Sequence, residues 1–157
     1  QNVVEASKAY FDVAETIFIG DGELRAQLET QLGERGRFLG FVSNEDKAKL
    51  INAATLLVAA PEKKEHFGII YTEAMAGNVP IVAYEGGGVN SIITDETGIL
   101  TERNPQALGE AIRSLLLDDE KRLTMAIKCG ERAKIYYTTG VLGPRLNDWL
   151  TSVLGAE

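Results

Sequence analysis

Leu56-Leu57-Val58-Ala59-Ala60, the polar loop Pro61 to Lys64, Glu65-His66-Phe67-Gly68-Ile69-Ile70-Tyr71-Thr72-Glu73-Ala74-Met75-Ala76-Gly77-Asn78-Val79 and Pro80-Ile81-Val82-Ala83-Tyr84 follow one another without a break, and this stretch decides the fold. Two short, nearly all-apolar runs bracket a longer segment whose later half has helical character. A strand that is apolar at nearly every position is covered on both faces, and strand-helix-strand order makes the two strands parallel. The pattern repeats outward in both directions, with Thr16-Ile17-Phe18-Ile19, Arg37-Phe38-Leu39-Gly40-Phe41 and Gly98-Ile99-Leu100-Thr101 as further strands and helices between them. The expected class is α/β, a doubly wound, Rossmann-like parallel sheet in one domain over residues 1–157.

The helix limits are signalled locally. Ser43 with Asp46 reads as a capping box, and Asn104-Pro105 as N-cap and first-turn proline before a stripe of Leu108, Ile112, Leu115 and Leu116. Asp118 and Asp119 open a helix expected to bury Leu123, Ala126, Ile127, Gly130 and Ala133, and Pro144 is expected to begin a last amphipathic helix with Leu146, Trp149, Leu150 and Val153. Tyr136, Tyr137 and Trp149 read as packing residues. A helical segment from Val3 to Val13 feeds the strand at Thr16. A parallel sheet has another strand before such a helix, so the domain is expected to start upstream of Gln1.

Composition excludes several classes. The chain has 157 residues, 45% of them hydrophobic, and a net charge of −7, which disfavours nucleic acid because phosphate backbones demand clustered cations. An anionic small ligand would need oriented backbone amides and a few placed cations. Cys129 is alone, so no internal disulfide forms, and no Cys/His cluster proposes a metal. No apolar run is long enough to span a bilayer, and Gln1 to Lys8 lack the grammar of a signal peptide. A cytoplasmic setting is expected.

The chemistry concentrates in the segment after Ala60. In open parallel sheets ligands bind at the carboxyl ends of strands, where the first turn of the next helix offers unpaired N–H groups. Gly68, Ile69 and Ile70 are placed to do this, and Glu65 and Glu73 flank the turn as acceptors for pairs of sugar hydroxyls. Spacing alone does not single them out, since Glu15 and Glu23, or Glu102 and Glu110, stand equally far apart. Only the Glu65 to Glu73 pair encloses a glycine-aromatic turn. His66, without a Ser/Asp partner pattern, reads as a cleft-lining residue and Cys129 as a core residue. Asp118-Asp119-Glu120 reads as acids favouring a helix start. Gly86-Gly87-Gly88 reads equally as a ligand-facing loop or a plain turn.

The segment resembles the E-x7-E signature of glycosyltransferase family 4, E-[PSH]-F-G followed by E-A-M-A-x-G-x-P-V-[VI]-A. Ile19-Gly20-Asp21-Gly22 and Phe38-Leu39-Gly40-Phe41-Val42 resemble that family's G-D-G loop and F-x-G-x-V strand end; Gly87-Gly88-Val89 and Thr97-Gly98-Ile99-Leu100 resemble its G-G-V and T-G-x-L elements. The resemblance covers nearly the whole chain. It implies a retaining enzyme of the two-domain GT-B fold, of which this chain is the C-terminal nucleotide-sugar-binding half, the N-terminal acceptor domain and the first strand lying upstream. By the same resemblance Glu65 is the catalytic carboxylate, His66, Phe67, Gly68, Ile69 and Ile70 meet donor sugar and diphosphate, Glu73 holds the ribose, and Val42, Asn44 and Lys47 meet the base. Asn44 reads equally as the first residue of a capped helix.

The Glu65-His66-Phe67-Gly68-Ile69 form is similar to mannosyltransferases of lipid-linked oligosaccharide assembly. GDP-mannose is therefore the first expectation for the donor and a UDP-sugar the second. The acceptor would be a saccharide or lipid-linked, which implies peripheral association with the cytosolic face of a membrane; no metal or other cofactor is implied. Three departures stand out. The family's phosphate-binding Arg and Lys fall before Gln1, its G-G-V-P-E is Gly87-Gly88-Val89-Asn90-Ser91 here, and Gly77-Asn78 changes the usual order after Ala76, which reads as helix-ending chemistry. A non-catalytic nucleotide or sugar-phosphate binding module is the alternative function. A glycosidase would need two carboxyls facing one bond, which no spacing here establishes.

Overall fold

The computed structural model describes residues 1–63 and 65–155; Lys64, in the loop after Ala60, lies outside them. Five short parallel strands form two sheets. β1 (Thr16–Phe18) pairs with β2 (Gly36–Phe38), and β4 (Ile81–Tyr84) lies between β3 (Leu57–Ala59) and β5 (Gly98–Thr101). The helices are α1 (Asn2–Ala6), α2 (Arg25–Leu32), α3 (Asn44–Ala53), α4 (Ile69–Ala76), α5 (Val89–Ile92), α6 (Pro105–Leu117), α7 (Asp119–Tyr136) and α8 (Thr139–Leu154).

The all-apolar strand β4 shows why the fold is doubly wound. Its four residues are buried and alternate between two cores. Ile81 and Ala83 pack with Tyr71, Met75, Ile92 and Cys129 on one face, while Val82 and Tyr84 pack with Leu108, Ile112, Leu115 and Met125 on the other. At about 25 cal/mol per Å² of apolar surface, covering both faces is the main favourable contribution to this sheet.

The caps stand where the sequence puts them. Ser43 Oγ accepts from the Asp46 amide at 3.0 Å and donates to Asp46 Oδ2. Asn104 accepts from the Gln106 and Ala107 amides, with Pro105 as the first helical residue. Asp118 accepts from the Lys121 amide and Asp119 pairs with Arg122, so the acidic triplet is a helix start. Asn78 takes up φ 58 just past α4, ending the helix as the Gly77-Asn78 order implies.

Four expectations need correction. The helix expected over Val3 to Val13 stops at Ala6 and passes into a tight turn at Ser7–Ala9, where Ser7 Oγ bonds back to the Val4 carbonyl. The chain leaves β2 after Phe38, turning at Gly40 and exposing Phe41. α7 buries Met125, Cys129, Gly130 and Ala133 and leaves Leu123 and Ile127 exposed, because Gly130 seats against Asn78 and the Cys129 thiol donates to the Thr97 carbonyl. Pro144 lies inside α8, which starts five residues earlier at Thr139; Trp149 is 59% exposed and packs in no core. The carbonyl left without a partner by Pro144 belongs to exposed Gly140, which water can reach.

A slot separates the two sheets. Leu39 N–H donates to the Phe18 carbonyl and Leu57 N–H to that of Pro80, so Phe18 and Leu57 point their backbone groups at the existing neighbours. Alternate residues turn the other way, and the N–H and C=O of Ile17 and Val58 therefore face the space between β1 and β3. That space is an apolar cavity of about 520 Å³ lined by both strands, by Val3 and Tyr10, and by Ile112 and Leu116. α6 leaves the carboxyl end of β5. Ala6 opposite Gly109 and Asp12 paired with Arg113 show the N-terminal segment running alongside it in the same direction.

Candidate functional site

The carboxyl ends of parallel strands share an edge of their sheet, and the loops there carry the expected motifs. After β1 and β2, Gly20 and Gly40 form a bridge in which the Gly20 amide donates to the Gly40 carbonyl at 2.8 Å. After β3 and β4 come the loop of Glu65 and that of Gly86 to Gly88. These two loops are fastened together. The Gly88 amide donates to the Glu65 carbonyl at 2.9 Å, and a Cβ on Gly88 would lie 1.8 Å from the His66 carbonyl oxygen. Gly86 N–H donates to Asn90 Oδ1, and Arg103 reaches from the end of β5 to the Glu62 carbonyl.

The fastening lies beside free donors at α4. The Glu65 carbonyl, the natural i−4 partner of the Ile69 amide, is given to Gly88. The amides of Ile69 and Ile70, in the first turn of the helix, have no acceptor among the described residues, while Tyr71 N–H is satisfied by the Gly68 carbonyl. Gly68 caps the helix at φ 79 and ψ 79, a left-handed conformation suited to glycine, and an added Cβ would strike the Tyr71 ring at 2.4 Å. Two free amides at the positive end of a helix dipole make a site for a negatively charged group.

Glu65 is half-buried beside this turn, with Oε1 accepting from the His66 amide at 3.1 Å. Burial, and then the neighbouring Glu65 carboxylate, push the Tyr71 phenol above its ordinary value, so Tyr71 is neutral at physiological pH. Glu73 projects from the second turn of α4, and its Oε1 accepts from Lys47 Nζ of α3 at 2.6 Å. His66, Phe67 and Ile69 are exposed, with the Phe67 ring edge-on to Tyr137; Ile70 packs against the core. Val42 is half-buried ahead of α3, and Asn44 is the first residue of that helix.

The structure thus gathers Glu65, the Gly68 to Ile70 turn, Glu73 and Lys47 around α4. The pairing of Lys47 with Glu73 and the fastening by Gly88 are not legible in the sequence, because neither follows from a local pattern. Arg103 likewise carried no signal. Among the described residues no group of His, Cys, Asp and Glu is arranged to hold a metal ion, and no helix is long and apolar enough to cross a membrane. The buried thiol of Cys129 is pushed up to about 12 by desolvation, as befits a core residue.

Comparison with known proteins bears on this arrangement. A family model described as glycosyl transferases group 1 matches residues 1–133. The chain is 33% identical over 138 residues to an alpha-D-kanosaminyltransferase of Streptomyces kanamyceticus, covering 83% of this chain and 35% of that protein. It is 30% identical over 127 residues to a human alpha-1,3/1,6-mannosyltransferase, covering 80% of this chain and 30% of the other. The crystal structure of Anabaena HepE in complex with UDP superposes with a TM-score of 0.83 and 25% identity, over 94% of this chain and 44% of that one. The chain spans about a third of the length of these curated relatives.

Proposed function

The chain belongs to the glycosyl transferases group 1 family, and from that membership we propose that it is the donor-binding half of an enzyme that transfers a hexosyl group, with retention, from a nucleotide sugar to a saccharide or lipid-linked acceptor. The observation that carries this reading is the amide couple of Ile69 and Ile70, without an acceptor among the described residues, between two carboxylates, one before α4 and one within it. Negative charge grows on the leaving diphosphate as the glycosidic bond breaks. Oriented amides that need no reorganisation stabilise that charge more in the transition state than in the ground state. Glu65 then meets the hydroxyls of the transferred sugar and Glu73 the ribose, with Val42 and Asn44 toward the base and Lys47, expected there too, drawn onto Glu73 by their ion pair.

GDP-mannose is the first donor to test, on the strength of the Glu65-His66-Phe67-Gly68-Ile69 form and the human mannosyltransferase relative; a UDP-sugar is second, in view of the UDP complex of the Anabaena protein. No divalent metal enters this reading. The amides and upstream cations take the role that a metal plays elsewhere, and a lipid-linked acceptor would be met at the cytosolic face of a membrane.

The same reading puts the domain's first strand upstream of Gln1, in the slot between β1 and β3, and the acceptor domain before it. Its support is that both walls line one apolar cavity with backbone groups turned toward it, and that α1 runs alongside α6 from the carboxyl edge, where a strand in the slot would end. Titration calorimetry of the full-length protein against GDP, UDP, GDP-mannose and UDP-glucose, with and without EDTA, tests the function. Binding of one nucleotide family, unaffected by EDTA, is expected. Binding that vanishes with EDTA would overturn the metal-free mechanism, and binding of none of the four would overturn the donor assignment.

A further inference from the structure

Among the described residues, Glu73 is the one carboxylate of the site held by a cation. Lys47 Nζ lies 2.6 Å from its Oε1, and the two side chains are only 29% and 32% exposed. The pair crosses between helices, from α3 to α4, and α3 is anchored on the same side where Ile51 and Asn52 close on Gly77. Lys47 is the only residue hydrogen-bonded to the Glu73 side chain among those described, and Oε2 has no partner. A carboxylate oxygen accepts more than one hydrogen bond, so Oε1 keeps a free lone pair and Oε2 keeps both. The result is an acceptor fixed at one corner and open at the rest. A nearby pair on α3 has a different setting: Lys49 bonds Glu45 on the same helix, with both side chains mostly exposed.

We infer that Lys47 is a positioning residue, which fixes the rotamer of Glu73 so that its free lone pairs meet the vicinal hydroxyls of the nucleotide ribose. This rests on the donor-site reading above. A long Glu side chain left to itself loses rotamer freedom on binding, and a partner that has already removed that freedom makes each ribose hydrogen bond stronger in net terms. Lys47 acts through Glu73 and touches no reacting atom. It sets how well the protein distinguishes a ribose from a sugar lacking its hydroxyls.

The test compares GDP and UDP with their 2′,3′-dideoxy forms, by calorimetry on the full-length protein and on Lys47→Met, Lys47→Arg and Lys49→Met. Wild type should prefer the ribose form, and Lys47→Met should weaken the ribose form about tenfold while leaving the dideoxy form unchanged. Lys47→Arg should restore part of the preference, and Lys49→Met should match wild type. Equal loss for ribose and dideoxy forms in Lys47→Met would overturn the proposal and make Lys47 a base or phosphate contact. An unchanged preference in a folded Lys47→Met would overturn it outright. Failure of the underlying reading shows separately, as a wild-type protein that binds no nucleoside diphosphate or treats ribose and dideoxyribose alike.

Discussion

At the scale of single residues, the two glutamates should separate in kinetics although they sit on one turn and helix. On the proposed donor site, Glu65→Ala in the full-length protein should lower transferase turnover about 10²-fold or more, as loss of a group facing developing charge does, while Glu73→Ala should mainly raise the donor KM, as loss of uniform binding does. Steady-state kinetics with the identified donor checks both, and an unchanged turnover in Glu65→Ala would remove it from the chemistry. Gly88→Ala puts a methyl 1.8 Å from the His66 carbonyl oxygen. The two loops must part, so a stability loss of about 1–3 kcal/mol should appear in denaturant unfolding together with a fall in turnover. Cys129, fully buried with its thiol raised to about 12, should resist alkylation at pH 8 in the folded protein and react once unfolded. Glu65, Gly68 and Glu73 were legible because a short local pattern names them. Lys47, Gly88 and Arg103 were not, since their partners lie 26, 23 and 41 positions away in sequence.

At the scale of elements, caps are legible in the sequence and buried faces less so. Ser43, Asn104 and Asp118 act on amides two or three residues ahead, so sequence alone contains the whole interaction. Asn104→Ala should accordingly cost about 1 kcal/mol in thermal or denaturant unfolding. α7 is different, because apolar residues lie on two of its sides and periodicity does not say which side meets the sheet. The decision comes from tertiary contacts, Gly130 against Asn78 and Cys129 against Thr97. Met125→Ala should therefore cost about 2–5 kcal/mol, whereas Leu123→Ala, on the exposed side, should fall within about 0.5 kcal/mol of wild type. A larger effect at Leu123 than at Met125 would show that the helix is rotated from the face described.

At the scale of the whole molecule, strand number and direction were legible from near-continuous apolar runs, but the division into two sheets was not, because sequence order does not reveal spatial neighbours. Hydrogen exchange reads that division directly. If the proposed upstream strand fills the slot, the amides of Ile17, Ile19, Val58 and Ala60 should exchange quickly in the 1–157 chain and be slowed at least about 10³-fold in the full-length protein, because a paired strand opens only through rarer, deeper unfolding. Fast exchange at all four in the full-length protein would leave the slot without its strand. The two facing edges also govern how the 1–157 chain behaves in a tube. Each presents a row of unsatisfied donors and acceptors, and Ile17 and Ile19 are 39% and 41% exposed. Such rows recruit any extended polypeptide that reaches them. Copies of the 1–157 chain should therefore stick to one another as concentration rises, growing by a lag and then an advance, and Ile17→Lys should lengthen that lag by giving the growing edge a charge it cannot bury.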